Sequence, residues 1–402
     1  MNGKEFIFLC LKQFVVSCTV CKGRLMCGVK KCPLLERFNA RQALAGRLRR
    51  EVVGESVPNV FVGWNGYPRV NVGPSVSLEG ASTDASQWYG KPLDEIVSSA
   101  AVMARGYQKQ SVKKRLSRDL LEAAMSTKPL DVAITFEHVP RNEVRFFDVS
   151  QPSGPSAQAR NIEVQGNACI PGAVDEAIEE GWTARDALTA LLEKGFEYYY
   201  LQKLLTAGAL GKHEDRRLVP TRWGITATDT MLANEHLNKI RESQTIDCYQ
   251  VYSNEYLFNR FEIILLPGNW EYEQFEAWSK GSFWSENQSS IAYEYEPFQG
   301  RKDYAQSEGG GYYAARFAVA EALAQRNVQA RVIVVREIYD GYRVPVGVWQ
   351  VRENVRAAFR NKPNEFYSLS KALADAATRL KNPWRAYASK SNILRQKKLF
   401  EF

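Results

Sequence analysis

The sequence predicts an α+β protein: mixed or largely antiparallel sheet with packed helices, a small N-terminal zinc module and a flexible C-terminal tail. Three observations carry that expectation. Segments of helical period alternate irregularly with strand-like runs. Some strand runs are neighbours in the chain, most plainly DCYQVYSNEYLFNRFEIILLP (247–267), which reads as a hairpin and favours antiparallel pairing. The 402 residues are 45% hydrophobic and 24% charged, with nine Trp, which suits a large core and excludes a disordered chain.

In chain order, helical spacing of apolar residues appears over 34–52, 93–106, 111–125, 183–208, 228–243, 311–326 and 366–381. Alternating or β-branched runs predict strands at 131–139, 143–149, 247–267, 290–297, 328–339 and 344–351. The Pro/Gly/Ser stretch SQPSGPSAQA (150–159) predicts a surface loop. The small polar segment SKGSFWSENQSS (279–290) marks a boundary, and no internal repeat is present. These shifts divide the chain into a cysteine-rich head (1–36), a body (37–287), a second region (288–385) and a tail (386–402).

No apolar run approaches a membrane span. The stretch FIFLCLKQFVV (6–16) is broken by Lys12 and Gln13 and leads into cysteines where a cleavage site would need small residues. It reads as a strand entering a metal site, and the expected location is the cytoplasm. There, clustered thiols serve as metal ligands more readily than as disulfides. Cys18, Cys21, Cys27 and Cys32 are separated by two, five and four residues, and four thiolates can close a tetrahedral structural zinc shell. An iron–sulfur cluster would use the same ligands. The net charge of +8, with clusters at Arg47 to Arg50, Lys113 to Arg118 and Arg385 to Lys398, suits a polyanion such as DNA.

The last residues are RQKKLFEF (395–402). Gln396, Leu399 and Phe402 recur every third residue, so on one turn of helix Leu399 and Phe402 share a face while the Gln396 amide reaches a polar pocket. With Phe400, this resembles the PIP box, the peptide that replication and repair proteins present to the sliding clamp, PCNA. Such peptides end on two adjacent aromatics; here Glu401 separates Phe400 from Phe402.

Head, tail and four internal segments together resemble the archaeal Nre proteins, a DNA-repair family. The segments are FVGWNGYPRVNVGP (61–74), LVPTRWGITATDT (218–230), EGGGYYAARFAVAEAL (308–323) and VPVGVWQVRE (344–353). The resemblance spans nearly the whole chain. It implies a role in DNA-damage repair with the clamp as partner and carries no settled catalytic mechanism.

The internal segments also have chemistry of their own. Asn65-Gly66 predicts a two-residue turn with Trp64 and Tyr67 at a hairpin tip and Arg69 beyond, a stacking platform for a base beside a cation. Arg222 and Trp223 precede Thr228 and Asp229, either of which could cap the next helix and leave the arginine at an anion site. Gly309, Gly310 and Gly311 open a helix whose Tyr312 and Arg316 lie one turn apart, a possible nucleotide cradle behind Glu308. The Walker ending is missing, so ATP hydrolysis is not supported. With three histidines and no triad or HExxH, catalysis is poorly signposted. Glu308, Glu337 and Asp148 are the candidate catalytic acids, and carboxylates at strand ends, Asp131, Glu137 and Asp148, are possible Mg²⁺ ligands.

The leading expectation is a DNA-binding repair protein tethered to PCNA. The alternative is a nuclease or transferase with a pocket around Arg222 and Glu308 to Gly311, using Mg²⁺. An RNA-binding protein fits the charge but leaves the tail unexplained.

Overall fold

The strand signals resolve into a closed five-stranded barrel, a six-stranded sheet and a two-stranded ribbon. The structure, a computed structural model, describes residues 24–26, 35, 48–77, 85–140, 154–279, 291–342 and 344–395. Cys18, Cys21, Cys27, Cys32, Asp148, Gln396, Leu399, Phe400 and Phe402 lie outside the described residues, as do the strand expected at 143–149 and most of the expected helix at 34–52. That expectation ran too far at its C-terminal end, because Glu51 already opens a strand.

The barrel comprises β1 (Glu51–Val62), β2 (Arg69–Ser77), β3 (Met103–Ser111), β4 (Leu130–Phe136) and β5 (Ser156–Gln165). Strand order is β1-β2-β3-β5-β4, closed by antiparallel pairing of β4 with β1; β3 and β5 alone run parallel. Alternate residues fill the interior: Val70, Val72 and Val76 from β2, Val132, Ile134 and Phe136 from β4. Helix α1 (Leu93–Ala101) precedes β3, and α2 (Arg118–Met125), capped by Ser117, joins β3 to β4 and presses Leu120 and Ala124 against one barrel end. The helical spacing at 93–106 therefore breaks at Val102, and the loop expected at 150–159 gives way to β5 from Ser156.

Next come α3 (Gly172–Glu179), α4 (Ala184–Glu193), α5 (Tyr198–Thr206) and α6 (Thr221–Arg241). The apolar period of 183–208 is continuous in sequence but bends between α4 and α5. Gly195, at φ 88°, takes the left-handed conformation that ends a helix, and Phe196 N–H bonds back to Leu191 O at 3.0 Å.

The ribbon pairs β6 (Gln244–Thr245) with β11 (Val328–Gln329). The sheet contains β7 (Tyr249–Tyr256), β8 (Asn259–Leu266), β9 (Glu271–Trp278), β10 (Ile291–Glu296), β12 (Arg331–Ile338) and β13 (Asn364–Phe366), in the order β10-β9-β12-β8-β7-β13. Only β9 and β12 are parallel, linked through β10 and α7 (Gly310–Gln325). The sheet interleaves strands from both sides of residue 287, so the division drawn there from composition runs through one folding unit.

Both faces of this sheet are covered, which is why β8 and β12 read as nearly unbroken apolar runs. Phe261, Ile263, Val332 and Val334 join the core with α6, α7 and α8 (Trp349–Arg360). Ile264, Phe275, Ile333 and Val335 pack on the other side against α9 (Leu369–Ala377), α10 (Arg385–Ala388) and α11 (Asn392–Arg395). Two expectations are corrected here. VPVGVWQV (344–351) is not a strand: Gly347 at φ 104° breaks the chain, and Val351, Val355 and Ala358 then recur at helical spacing on α8's buried face. The tail expected from residue 386 begins later, because Tyr387 and Ile393 bury 100% and 98% of their surface against the sheet.

Candidate nucleic-acid interface

The connection from β1 to β2 is wider than the expected two-residue turn. Pro68 has no N–H to give, so the ladder closes only at Gly63 N–H to Asn71 O (2.8 Å), leaving residues 64–68 as a loop held by Tyr67 N–H to Trp64 O and Arg69 N–H to Gly66 O. Gly66 supplies the positive φ of 81° this needs. Trp64 and Tyr67 consequently project, each 49% exposed.

Arg222 and Trp223 meet them there. Helix α6 starts at Thr221, behind Pro220, so Thr228 and Asp229 are interior helix residues and not caps. The Thr221 hydroxyl accepts the Val62 N–H at 3.0 Å, fixing the first turn of α6 to the end of β1. Trp223 then lies 5.0 Å from Tyr67, ring centre to ring centre, and the Arg222 guanidinium 5.8 Å from the Trp64 ring. A cation in the first turn opposes the helix dipole, so Arg222 gains nothing from its own helix and is available to an anion.

The strands beside this loop carry one sign of charge. Register pairs Arg69 with Ser111, Asn71 with Lys109 and Ser75 with Arg105, all on the outer face opposite the buried valines. Strands β2 and β3 contribute these three cations and no carboxylate. By contrast, Glu51, Glu55, Asp131 and Glu163 lie on β1, β4 and β5, with Arg160. Among the described residues no carboxylate pairs with Arg69, Arg105, Lys109 or Arg222. Arg105 stands 3.8 Å over the Phe61 ring and donates to Ser75 Oγ (3.0 Å); burial pushes its pKa down to about 10. A partly buried guanidinium without a counter-charge gains stability when an anion arrives.

The glycine run is arranged differently. Gly309 (φ 55°) is the N-cap of α7, and Gly311 is close-packed: a Cβ there would stand 3.2 Å from Glu276 Oε2. Tyr312 and Arg316 turn into the interior. Both are buried on Glu296, which accepts from Tyr312 Oη (2.8 Å) and from Arg316 Nε and Nη2 (2.7 and 2.8 Å). Glu308 lies behind, its carboxyl oxygens buried without a hydrogen-bond partner. Burial first, then the neighbouring Glu276 and Glu294, raises its pKa well above the usual carboxylate range. Those neighbours are neutralised by Arg336 (2.6 Å) and Arg301 (2.7 Å).

Helices α6 and α7 run side by side in the same direction, with Thr226 beside Gly310 and Asn234 bonded to Arg316, so their N-termini share one end of the molecule. The Arg222 guanidinium lies over the Trp64 ring, and the Glu308 carboxyl feels the charges of Glu276 and Glu294.

Glu337 is also a structural group. It is buried and accepts from Lys381 N–H, Asn382 N–H, Asn382 Nδ2, Tyr387 Oη and Tyr339 Oη, which ties the C-terminal segment to β12. Asp131 and Glu137 stand at the two ends of β4, the Glu137 carboxylate accepting from Gln158 Nε2 (2.9 Å). Among the described residues no three His, Cys, Asp or Glu side chains gather to hold a metal ion, and no helix is long and apolar enough to cross a membrane.

The five-strand order, the parallel β3–β5 pair and the helix between β3 and β4 are those of the oligonucleotide/oligosaccharide-binding (OB) barrel, whose β2–β3 face and β1–β2 loop are its usual ligand surface. The molecule is thus an α+β protein built on an OB-type barrel with a basic, aromatic face. Residues 26–285 match the family model "Archaeal Nre, N-terminal" and residues 296–402 match "Archaeal Nre, C-terminal". The chain is 37% identical to DNA repair protein NreA of Archaeoglobus fulgidus, covering 94% of this chain and 98% of that protein. It is 34% identical to NreB of the same organism, covering 96% and 100%, and 34% identical to NreA of Haloferax volcanii, covering 82% and 84%. No solved structure matches it. The chain belongs to the archaeal Nre family.

The sequence alone named Trp64, Tyr67, Arg69, Arg222 and Trp223 but not their convergence. Arg105 and Lys109 were not singled out; their signal is the absence of acidic residues from β2 and β3.

Proposed function

We propose that the protein is a DNA-repair factor that grips DNA on the β2–β3 face of its barrel and is tethered to the sliding clamp, PCNA, by Gln396, Leu399, Phe400 and Phe402. The observation that carries the DNA contact is the meeting of Trp64, Tyr67, Arg222 and Trp223 beside a strand pair with cations only. The relatives' name, DNA repair protein, supports the pathway. Tethering raises the local concentration of a weak binder to about millimolar, so clamp and barrel reinforce each other without new contacts.

Support for the tether is the peptide pattern together with its point of departure, α11, which is pinned to the sheet a few residues earlier. Deleting residues 396–402 abolishes clamp binding and leaves the melting temperature unchanged; clamp affinity that survives the deletion refutes the tether. Replacing Arg69 and Lys109 with Ala lowers DNA affinity and flattens its salt dependence. The proposal includes a structural zinc ion on Cys18, Cys21, Cys27 and Cys32, supported by the donor set itself, four thiolates within fifteen residues. Metal analysis of the purified chain tests it.

A further inference from the structure

We infer that the barrel face takes single-stranded DNA and that Trp64 and Trp223 are its base-stacking residues. This rests on the DNA-binding reading above and narrows its substrate class.

The inference starts from what the rings have to offer. Trp64, Tyr67 and Trp223 are 49%, 49% and 44% exposed although they sit together, so their burial is not what holds the fold. Flat aromatic surface is matched by the face of a base. In duplex DNA every base face is covered by its neighbours, and rings on a protein surface would meet only sugar, phosphate and groove edges. In a single strand the faces are available.

Charge and shape agree. Arg222 beside Trp64, and Arg69, Lys109 and Arg105 along the adjoining strands, form a cationic track leading away from the rings, suited to the phosphates of a chain whose bases have turned toward the aromatics. Among the described residues, the helix that reaches this face is α6, which meets it at its first turn, fixed at Thr221. The rings are also preorganised, since Tyr67 and Trp223 are held from two separate elements that are already bonded, and a base stacking there pays little ordering cost.

The test measures anisotropy of a labelled single-stranded DNA oligonucleotide, its blunt duplex and the RNA of the same sequence, with the full-length protein at fixed salt. The single strand is expected to bind about tenfold more tightly than the duplex. The double substitution Trp64→Ala, Trp223→Ala should weaken single-strand binding about tenfold or more and leave weak duplex binding within about twofold. Intrinsic tryptophan fluorescence, quenched on single-strand binding by the parent protein, should lose that quenching in Trp64→Phe, Trp223→Phe, while the fold, followed by circular dichroism, persists. Equal or tighter duplex binding overturns this inference and leaves the DNA reading standing. Absence of binding to every DNA overturns both. Tighter RNA binding overturns the choice of DNA, and unchanged affinity in the alanine variant overturns the assignment to these rings.

Discussion

The Tyr67 and Trp223 rings lie 5.0 Å apart at an interplanar angle of 57°, joining a loop of the barrel to the first turn of helix α6, which lies outside the barrel. A few residues away the Val62 N–H donates to the Thr221 hydroxyl at 3.0 Å. The ring pair is therefore a consequence of how barrel and helix dock.

Thr221→Ala tests that dependence. It removes the acceptor of a buried N–H, a loss of roughly 1–3 kcal/mol. The melting temperature should fall modestly and oligonucleotide affinity with it, although Thr221 is not one of the stacking side chains. Thr221→Ser, which keeps the hydroxyl, should restore both. If the alanine variant binds normally, the rings do not need this docking.

Among the described residues, Asp229 and Arg352 form the most deeply buried ion pair, 0% and 1% exposed at the side chain and 2.7 Å apart. Tyr198 lies on the guanidinium at 3.8 Å and donor bonds run to both Asp229 oxygens. Burial opposes the Arg352 charge, but Asp229, Tyr198 and Tyr199 together outweigh it and hold that pKa well above its ordinary value. Removing one partner strands the other, at a cost of about 3–5 kcal/mol. Arg352→Met should therefore shift the denaturant midpoint strongly. Pairing it with Asp229→Leu should recover most of the loss, and a double variant as unstable as the single one would contradict the argument.

These two relationships mark the boundary of what was legible in the sequence. Strands β8 and β12 were readable because a sheet covered on both faces needs apolar residues at nearly every position. Helix α7 was readable from a long apolar run, since nearly every residue from Gly311 to Leu323 is buried. Strands β3 (MARGYQKQS) and β5 (SAQARNIEVQ) were not, since polar residues interrupt both, and closure of a barrel is a long-range event that no local window records. Asp229 resembled a helix cap because aspartate is a good one; only Arg352, far along the chain, explains an aspartate inside a helix. Gly311 read as a phosphate cradle but serves the close approach of Glu276 and Arg336.

Glu308 should make stability depend on pH. A carboxyl whose folded pKa is raised above its ordinary 4.5 binds protons more tightly folded than unfolded. Its favourable contribution is complete below the unfolded value and is lost as pH rises through the folded one, where a buried charge must form beside Glu276 and Glu294. Melting temperature should therefore decline from mildly acidic to mildly alkaline pH. Glu308→Gln, neutral throughout, should flatten that decline and melt higher than the parent above neutrality. An unchanged slope would place the pH dependence elsewhere.

Glu273 and Glu337 both hold the C-terminal segment from beneath. Glu273 accepts from the Ser391 hydroxyl and from Asn392 and Ile393 N–H at 3.0 and 3.2 Å, while Glu337 accepts from Lys381 and Asn382 N–H at 2.7 and 2.8 Å. Backbone donors bonded to a carboxylate lose those charge-assisted bonds when it is removed, at about 1.5–3 kcal/mol each before relaxation. Glu273→Ala and Glu337→Ala should release residues 381–395 from the sheet while the apolar contacts of β8 with β12 persist. Limited proteolysis should then cut between Lys381 and Arg395, where the parent resists, with the remaining body staying folded. The same variants bear on the proposed tether, because a loosened attachment at 381–395 would lower the effective concentration of residues 396–402 at the clamp. Clamp binding by the isolated tail peptide should be unaffected by definition, so the two glutamate variants should weaken only the simultaneous binding of clamp and DNA. Resistance to cleavage equal to that of the parent would show that Tyr387 and Ile393, packed in the apolar core, hold the segment without the carboxylates.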